Sequence, residues 1–117
     1  MTPQSSLKPH KLLTDFNRLY ILTQLYSGPQ YGYQLISSAQ TTLKKNLSPS
    51  AVYPFLEQLE TNGYLTHTTT LIGERQRKTY QLTPKGQMLC LELFSRFSEI
   101  FAPAFSANNN SKSNPTQ

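Results

Sequence analysis

Residues 47–65 read LSPSAVYPFLEQLETNGYL. Ser48 followed by Pro49 opens a helix: a serine N-cap, then proline at the first helical position, where its missing N–H and fixed φ carry no penalty. Val52, Phe55, Leu56 and Leu59 follow at i, i+3, i+4 and i+7, the stripe of a helix lying on a core. Asn62-Gly63 closes it with a pair suited to the left-handed conformation. Pro54 is out of place in this pattern. It deletes a hydrogen bond and crowds the Ser50 carbonyl, at about 3 kcal/mol in an ordinary host. Either the first turn bends and tilts Tyr53 outward, or the helix begins near Pro54.

Downstream the period changes from helical to two. Tyr64–Ile72 and Arg77–Leu82 are rich in β-branched and aromatic residues. Gly73-Glu74-Arg75-Gln76 joins them, giving a hairpin with a basic, glycine-bearing tip. Thr83-Pro84 repeats the cap-plus-proline signal and opens a last helix through about Phe101, closed by Pro103. Upstream, Thr14 caps a first helix with Asp15 in its first turn. Phe16, Leu19, Tyr20, Ile21, Leu22, Leu25 and Tyr26 give that helix a wide apolar face, and Ser27-Gly28-Pro29 stops it. A second helix spans Tyr31 to Thr42, with Tyr33, Leu35, Ile36 and Ala39 facing inward. Gly32 at its start either admits a close approach of two segments or is a plain flexible joint.

The order is helix, helix, helix, hairpin, helix: an α+β chain, mostly α. The expected organisation is a flexible N-terminus over 1–13, a winged helix over 14–83, a dimerisation helix over 84–105, and a disordered polar tail over 106–117.

With 117 residues there is room for one modest core, and pairing with a second copy is a common way to stabilise such a chain. Eleven Lys+Arg against six Asp+Glu give +5, a bias toward anionic partners. Arg75, Arg77, Lys78 and Lys85 share a stretch holding one acid, Glu74, and Lys44 and Lys45 precede Ser48. Charge by itself does not distinguish this from ordinary solvated side chains. The apolar run Leu19–Tyr26 is too short to cross a bilayer, so no membrane association is expected. Met1–Lys11 lacks a secretory core, and the single Cys90 cannot form an internal disulfide. A cytoplasmic protein is the expectation. His10, His67 and Cys90 are isolated, so no metal site is expected. No phosphate loop or nucleophile elbow occurs, and Glu57 and Glu60, one turn apart, read as a solvated helix face. Neither enzyme chemistry nor a cofactor is expected.

Three helices followed by a basic hairpin make the winged variant of the helix-turn-helix. Its third helix enters a major groove about 12 Å wide, while the hairpin reaches the neighbouring backbone or minor groove. Opposite the apolar stripe, Ser48, Ser50, Ala51, Tyr53 and Pro54 are small or stackable, and the helix N-terminus offers N–H groups to phosphate. The plainer alternative is that the serines only cap and Tyr53 only packs.

These residues resemble a known family. Tyr20-Ile21-Leu22 with Gly28-Pro29-Gln30-Tyr31-Gly32-Tyr33 is similar to the opening signature of PadR-like transcriptional regulators. Leu47–Leu65 resembles their recognition helix and its exit, and Arg75–Gly86 their wing and the turn beyond. The resemblance spans roughly Leu19 to Leu91. It implies a homodimeric repressor of double-stranded DNA, with Ser48, Ser50, Tyr53 and Pro54 on the helix and Arg75, Arg77 and Lys78 on the wing. Gln58 stands where relatives often carry a basic residue, and Thr79 where an aromatic is frequent. Phosphate affinity therefore leans more on Lys44, Lys45 and the wing. The chain's short length resembles compact members, among them cyanobacterial circadian period-extender regulators.

The last helix carries Leu93, Phe94, Phe97, Ile100 and Phe101, more apolar surface than one partner face covers. Pairing with a second subunit, helped by Phe16 and Leu19, buries it. Symmetric readers then meet half-sites about 34–36 Å apart on a palindromic operator. The same phenylalanines are also placed to line a small-molecule effector pocket, although no tryptophan is present to stack a planar ligand. The rival to DNA binding is a winged helix used purely for protein contacts, which would carry acidic or apolar residues on its wing.

Overall fold

In a computed structural model, backbone is described for residues 9–44 and 46–112, and side chains for 15–44 and 46–107. The elements are α1 (Pro9–Tyr26), β1 (Gln30–Tyr31), α2 (Gly32–Thr42), α3 (Pro49–Thr61), β2 (Leu65–Ile72), β3 (Arg75–Leu82) and α4 (Pro84–Lys112). They build the four helices and hairpin wing of a winged helix-turn-helix. The sheet order is β1-β3-β2, antiparallel throughout.

α3 ends in two nested hydrogen bonds. The Tyr64 N–H donates to the Leu59 carbonyl at 2.8 Å and the Gly63 N–H to the Glu60 carbonyl at 3.0 Å. Only Gly63 is left-handed there, at φ +82°, while Asn62 has φ −90°. The pair expected at the helix exit is thus a single glycine. Directly beyond, Thr83 ties three elements together. Its hydroxyl donates to the Gly63 carbonyl at 2.7 Å and accepts from the Gly86 N–H at 3.1 Å, capping α4. Gly86 is a required glycine, since a Cβ there would overlap the Tyr64 carbonyl oxygen.

The core draws on every layer: Ile21, Leu22 and Leu25 from α1, Leu35 and Ala39 from α2, and Val52, Leu56 and Leu59 from α3. Leu65, Tyr80, Leu82 and Cys90 come from the sheet and α4. On α2 the buried stripe is Gly32, Leu35 and Ala39. Tyr33 is one residue off that stripe and is 74% exposed, contrary to its expected inward position. Phe55 is only half-buried, with the Arg18 guanidinium 5.3 Å over its ring.

Several boundaries differ from the sequence expectation. α1 starts at Pro9, upstream of Thr14, using proline at a helix start, where it fits. The wing turn is the two residues Gly73-Glu74, with Gly73 at φ +66°, so Arg75 and Gln76 belong to β3. α4 does not stop at Pro103. It runs to Lys112 with Pro103 inside, so residues 106–112 are helical rather than a disordered tail, while 113–117 of that expected tail and 1–8 of the expected flexible N-terminus lie outside the described residues. Proline's φ suits a helix, its local cost is one lost hydrogen bond plus crowding, and the stacked rings of Phe97, Phe101 and Phe105 bridge the interruption. Among the described residues no helix is long and apolar enough to cross a membrane.

Candidate nucleic-acid interface

Gly32 sets the distance between α2 and α3. A Cβ built on it would stand 2.5 Å from Cε1 of Tyr53 and 2.6 Å from its hydroxyl, so the Tyr53 ring lies directly on the glycine backbone. Of the two readings of Gly32, the close approach is the one observed. Tyr53 keeps an outward edge. It lines an open groove of about 820 Å³ together with Tyr31, Gly32 and Tyr33 of the α2 entry, and Ile72, Arg75, Gln76, Arg77 and Lys78 of the wing.

β1 explains why the wing stands beside the helices. Gln30 pairs with Tyr80 and Tyr31 with Thr79, so the start of α2 is stitched to β3. The Tyr31 N–H also donates to Oε1 of Gln34 at 2.8 Å, holding the first turn of α2. Arg77 is two residues from Thr79 and hence on the face of Tyr31, diagonal to it. Its guanidinium carbon sits 4.2 Å from the Tyr31 ring centroid.

α3 is one helix from Pro49, and Pro54 lies inside it, which settles where the helix begins. Pro54 has no N–H to close the bond to the Ser50 carbonyl. Ser48 occupies the N-cap but makes no side-chain cap bond, its hydroxyl lying 3.1 Å from that of Ser50. Ser48, Ser50, Ala51, Tyr53 and Pro54 are all exposed. They do not form one patch with the wing, however. Ser50, Ala51 and Pro54 line a separate depression of about 250 Å³ against Asn17 and Arg18 of α1, and only Tyr53 joins the wing groove.

Arg75, Arg77 and Lys78 are exposed and share that groove. Lys44 is exposed and left-handed at φ +57°, ending α2, and Lys45 lies outside the described residues. Lys85 has a different job. Its Nζ donates to the Asn62 carbonyl at 2.8 Å, at the negative end of α3, and sits 4.7 Å from the Tyr64 ring centroid.

Glu60 is half-buried and paired with His67 Nδ1 across the α3–β2 junction, rather than solvated as its helical position implied. Burial, then Glu60, Tyr53 and Glu57, raises the Tyr80 hydroxyl above its ordinary pKa.

A second, apolar groove of about 640 Å³ joins Phe16 of α1 to Phe94, Phe97, Phe101 and Phe105 of α4. Phe97 stacks on Phe101 at 5.2 Å, and Phe101 on Phe105 at 6.0 Å. Of the other residues expected at a subunit contact, Leu93 packs on the subunit's own core and Leu19 is half-buried. Ile100 is exposed away from this groove.

The wing groove also holds Tyr31, Tyr33, Ile72 and Gln76, which sequence patterning alone does not mark as contact residues. A two-residue strand shows no periodicity, so β1 and the place of Tyr31 had no signal. Gln76, polar and next to the turn, reads as part of it, and Phe105 follows Pro103, which reads as a helix end.

The model described as the transcriptional regulator PadR-like family matches residues 21–91. A PadR-like transcription factor from Bacteroides fragilis is 20% identical, has a TM-score of 0.72, and overlaps 85% of this chain and 96% of its own. The circadian clock associated protein Pex from Anabaena is 26% identical, at TM-score 0.62 over 80% of this chain and 83% of that one. Bacillus subtilis PadR in complex with operator DNA is 29% identical at TM-score 0.61, over 66% of this chain and 44% of that protein. No curated protein matches the sequence.

Proposed function

The chain belongs to the PadR-like family of transcriptional regulators, and we propose that it is a cytoplasmic homodimeric repressor that binds a palindromic operator. The observation that carries this is the shared groove. Tyr53 of α3 and Arg75, Arg77 and Lys78 of the wing open onto one space, so a single duplex touches helix and ribbon together. Tyr53 reads base edges with its hydroxyl, Ser48 and Ser50 hold the phosphates at the α3 N-terminus, and Ala51 and Pro54 admit the backbone closely. Arg75, Arg77 and Lys78, with Lys44 and Lys45 at the edge, neutralise flanking phosphates. The phenylalanine groove of α1 and α4 takes the second subunit: nothing within the described chain covers it, and five of its eight lining residues are phenylalanine.

Binding to the DNA upstream of its own gene, compared with random duplex over a series of salt concentrations, tests this. Preference for the upstream site and a log–log salt slope of about −0.9 per phosphate contact support it. Equal, salt-insensitive binding to both refutes it. Sedimentation of the protein alone reads the dimer.

A further inference from the structure

The distal wing carries two aliphatic side chains that the subunit leaves in water. Leu71 is 67% and Ile72 50% exposed. Being consecutive on β2, they project from opposite faces of the ribbon. Across the ladder they face Gln76 and Arg75. Every residue of β2 from Thr68 and of β3 through Lys78 is exposed, so no described element covers either face of the tip. The turn itself needs only Gly73-Glu74, which leaves the pair without a structural use in the subunit.

Arg75, Arg77 and Lys78 stand beside this tip, and Ile72 opens onto the same groove as Tyr53. Leu71 and Ile72 make the ribbon apolar on both faces just below its Gly73-Glu74 turn, and the three cations outnumber the turn's carboxylate, so this end complements a slot with apolar walls and anionic rims. The DNA minor groove is such a slot: about 6 Å wide, walled by deoxyribose C–H edges and rimmed by phosphates. We propose that Leu71 and Ile72 form an apolar tip that enters the minor groove flanking the α3 site and selects A·T over G·C there. This rests on the DNA-binding reading above. Guanine's 2-amino group projects into the groove and needs an acceptor, which two aliphatic side chains cannot supply, whereas A·T pairs present no such donor.

The test uses the full chain and a duplex selected by it from a random pool. The base pairs beneath the wing are then made A·T, G·C or inosine·C, inosine keeping the major-groove edge of guanine without its 2-amino group. Fluorescence anisotropy is expected to show G·C weaker than A·T by about tenfold, with inosine·C restored to the A·T level. Leu71→Ser/Ile72→Ser, exposed and so without effect on the melting temperature, is expected to bind the A·T and G·C duplexes within about twofold of each other. It should still prefer the selected α3 half-site. Inosine·C binding like G·C, or the double variant keeping tenfold discrimination, overturns the proposal. So does a change in the variant's oligomeric mass without DNA, which makes the tip a protein contact. Failure of the native protein to select any sequence is a separate result, refuting DNA reading as a whole.

Discussion

The Arg77 guanidinium rests on the face of Tyr31, 4.2 Å from the ring centroid, and Tyr31 is at once the β1 partner of Thr79 and the residue that leads into α2. The wing cation is thereby referenced to the helices rather than to the ribbon alone. A cation–π contact at such a site is worth about 0.5–1 kcal/mol. Tyr31→Ala should weaken DNA binding about as much as Arg77→Ala, and the double variant should add little to either. Tyr31→Phe keeps the ring and should retain affinity. Anisotropy titrations read the cycle, and strictly additive losses contradict the coupling.

Two glycines should be intolerant for different reasons. At Gly32 a Cβ meets the Tyr53 ring, a side chain able to swing away. Gly32→Ala should cost about 1–3 kcal/mol and displace Tyr53 from the groove, and Tyr53→Ala should partly rescue the stability. At Gly86 the obstacle is the Tyr64 carbonyl, backbone that cannot rotate aside, so Gly86→Ala should be the more damaging. Thermal melts of the three variants decide it.

What the sequence made legible, and what it hid, follows from the range of the interactions. α3 was readable because its start and stop are local chemistry: serine and proline at one end, glycine at the other. The period of two reveals the hairpin but not the length of its turn, since Arg75 and Gln76 are polar in strand and loop alike. Tyr53 and the wing cations are visible in the sequence as residue types. Their convergence depends on Tyr31, whose partner Thr79 lies 48 residues further along the chain. Ser50, Ala51 and Pro54 adjoin Tyr53 in sequence, yet the helical turn separates them onto the α1 side. Pro103 reads as a stop from its local cost alone, and the phenylalanine stack that spans it appears only in the folded helix.

Lys85 should matter for folding and not for DNA. Its ammonium satisfies the Asn62 carbonyl at the end of α3 and lies over Tyr64. Lys85→Met keeps the aliphatic stem and should lower stability by about 1 kcal/mol, leaving operator affinity at constant salt unchanged. A loss of affinity with normal stability would instead place Lys85 among the DNA contacts.

Burial raises the Cys90 thiol above its ordinary value of 9.0. The folded protein therefore holds this proton more tightly than the unfolded chain, so its contribution is complete below pH 9 and is lost as pH rises through the folded value. The melting temperature should fall above pH 9 more steeply in the native sequence than in Cys90→Ala. Equal slopes contradict this. Native protein at pH 8 should also resist alkylation until urea unfolds it.

Hydroxyl-radical footprinting of one operator by the native chain and by Arg75→Ala/Arg77→Ala/Lys78→Ala reads the shared groove most directly. Protection should persist where α3 sits and disappear only in the flanks within about half a helical turn of it, because helix and wing grip the same duplex. Identical footprints from the two proteins, with the flanks still protected, would mean that the wing does not touch the DNA that α3 holds.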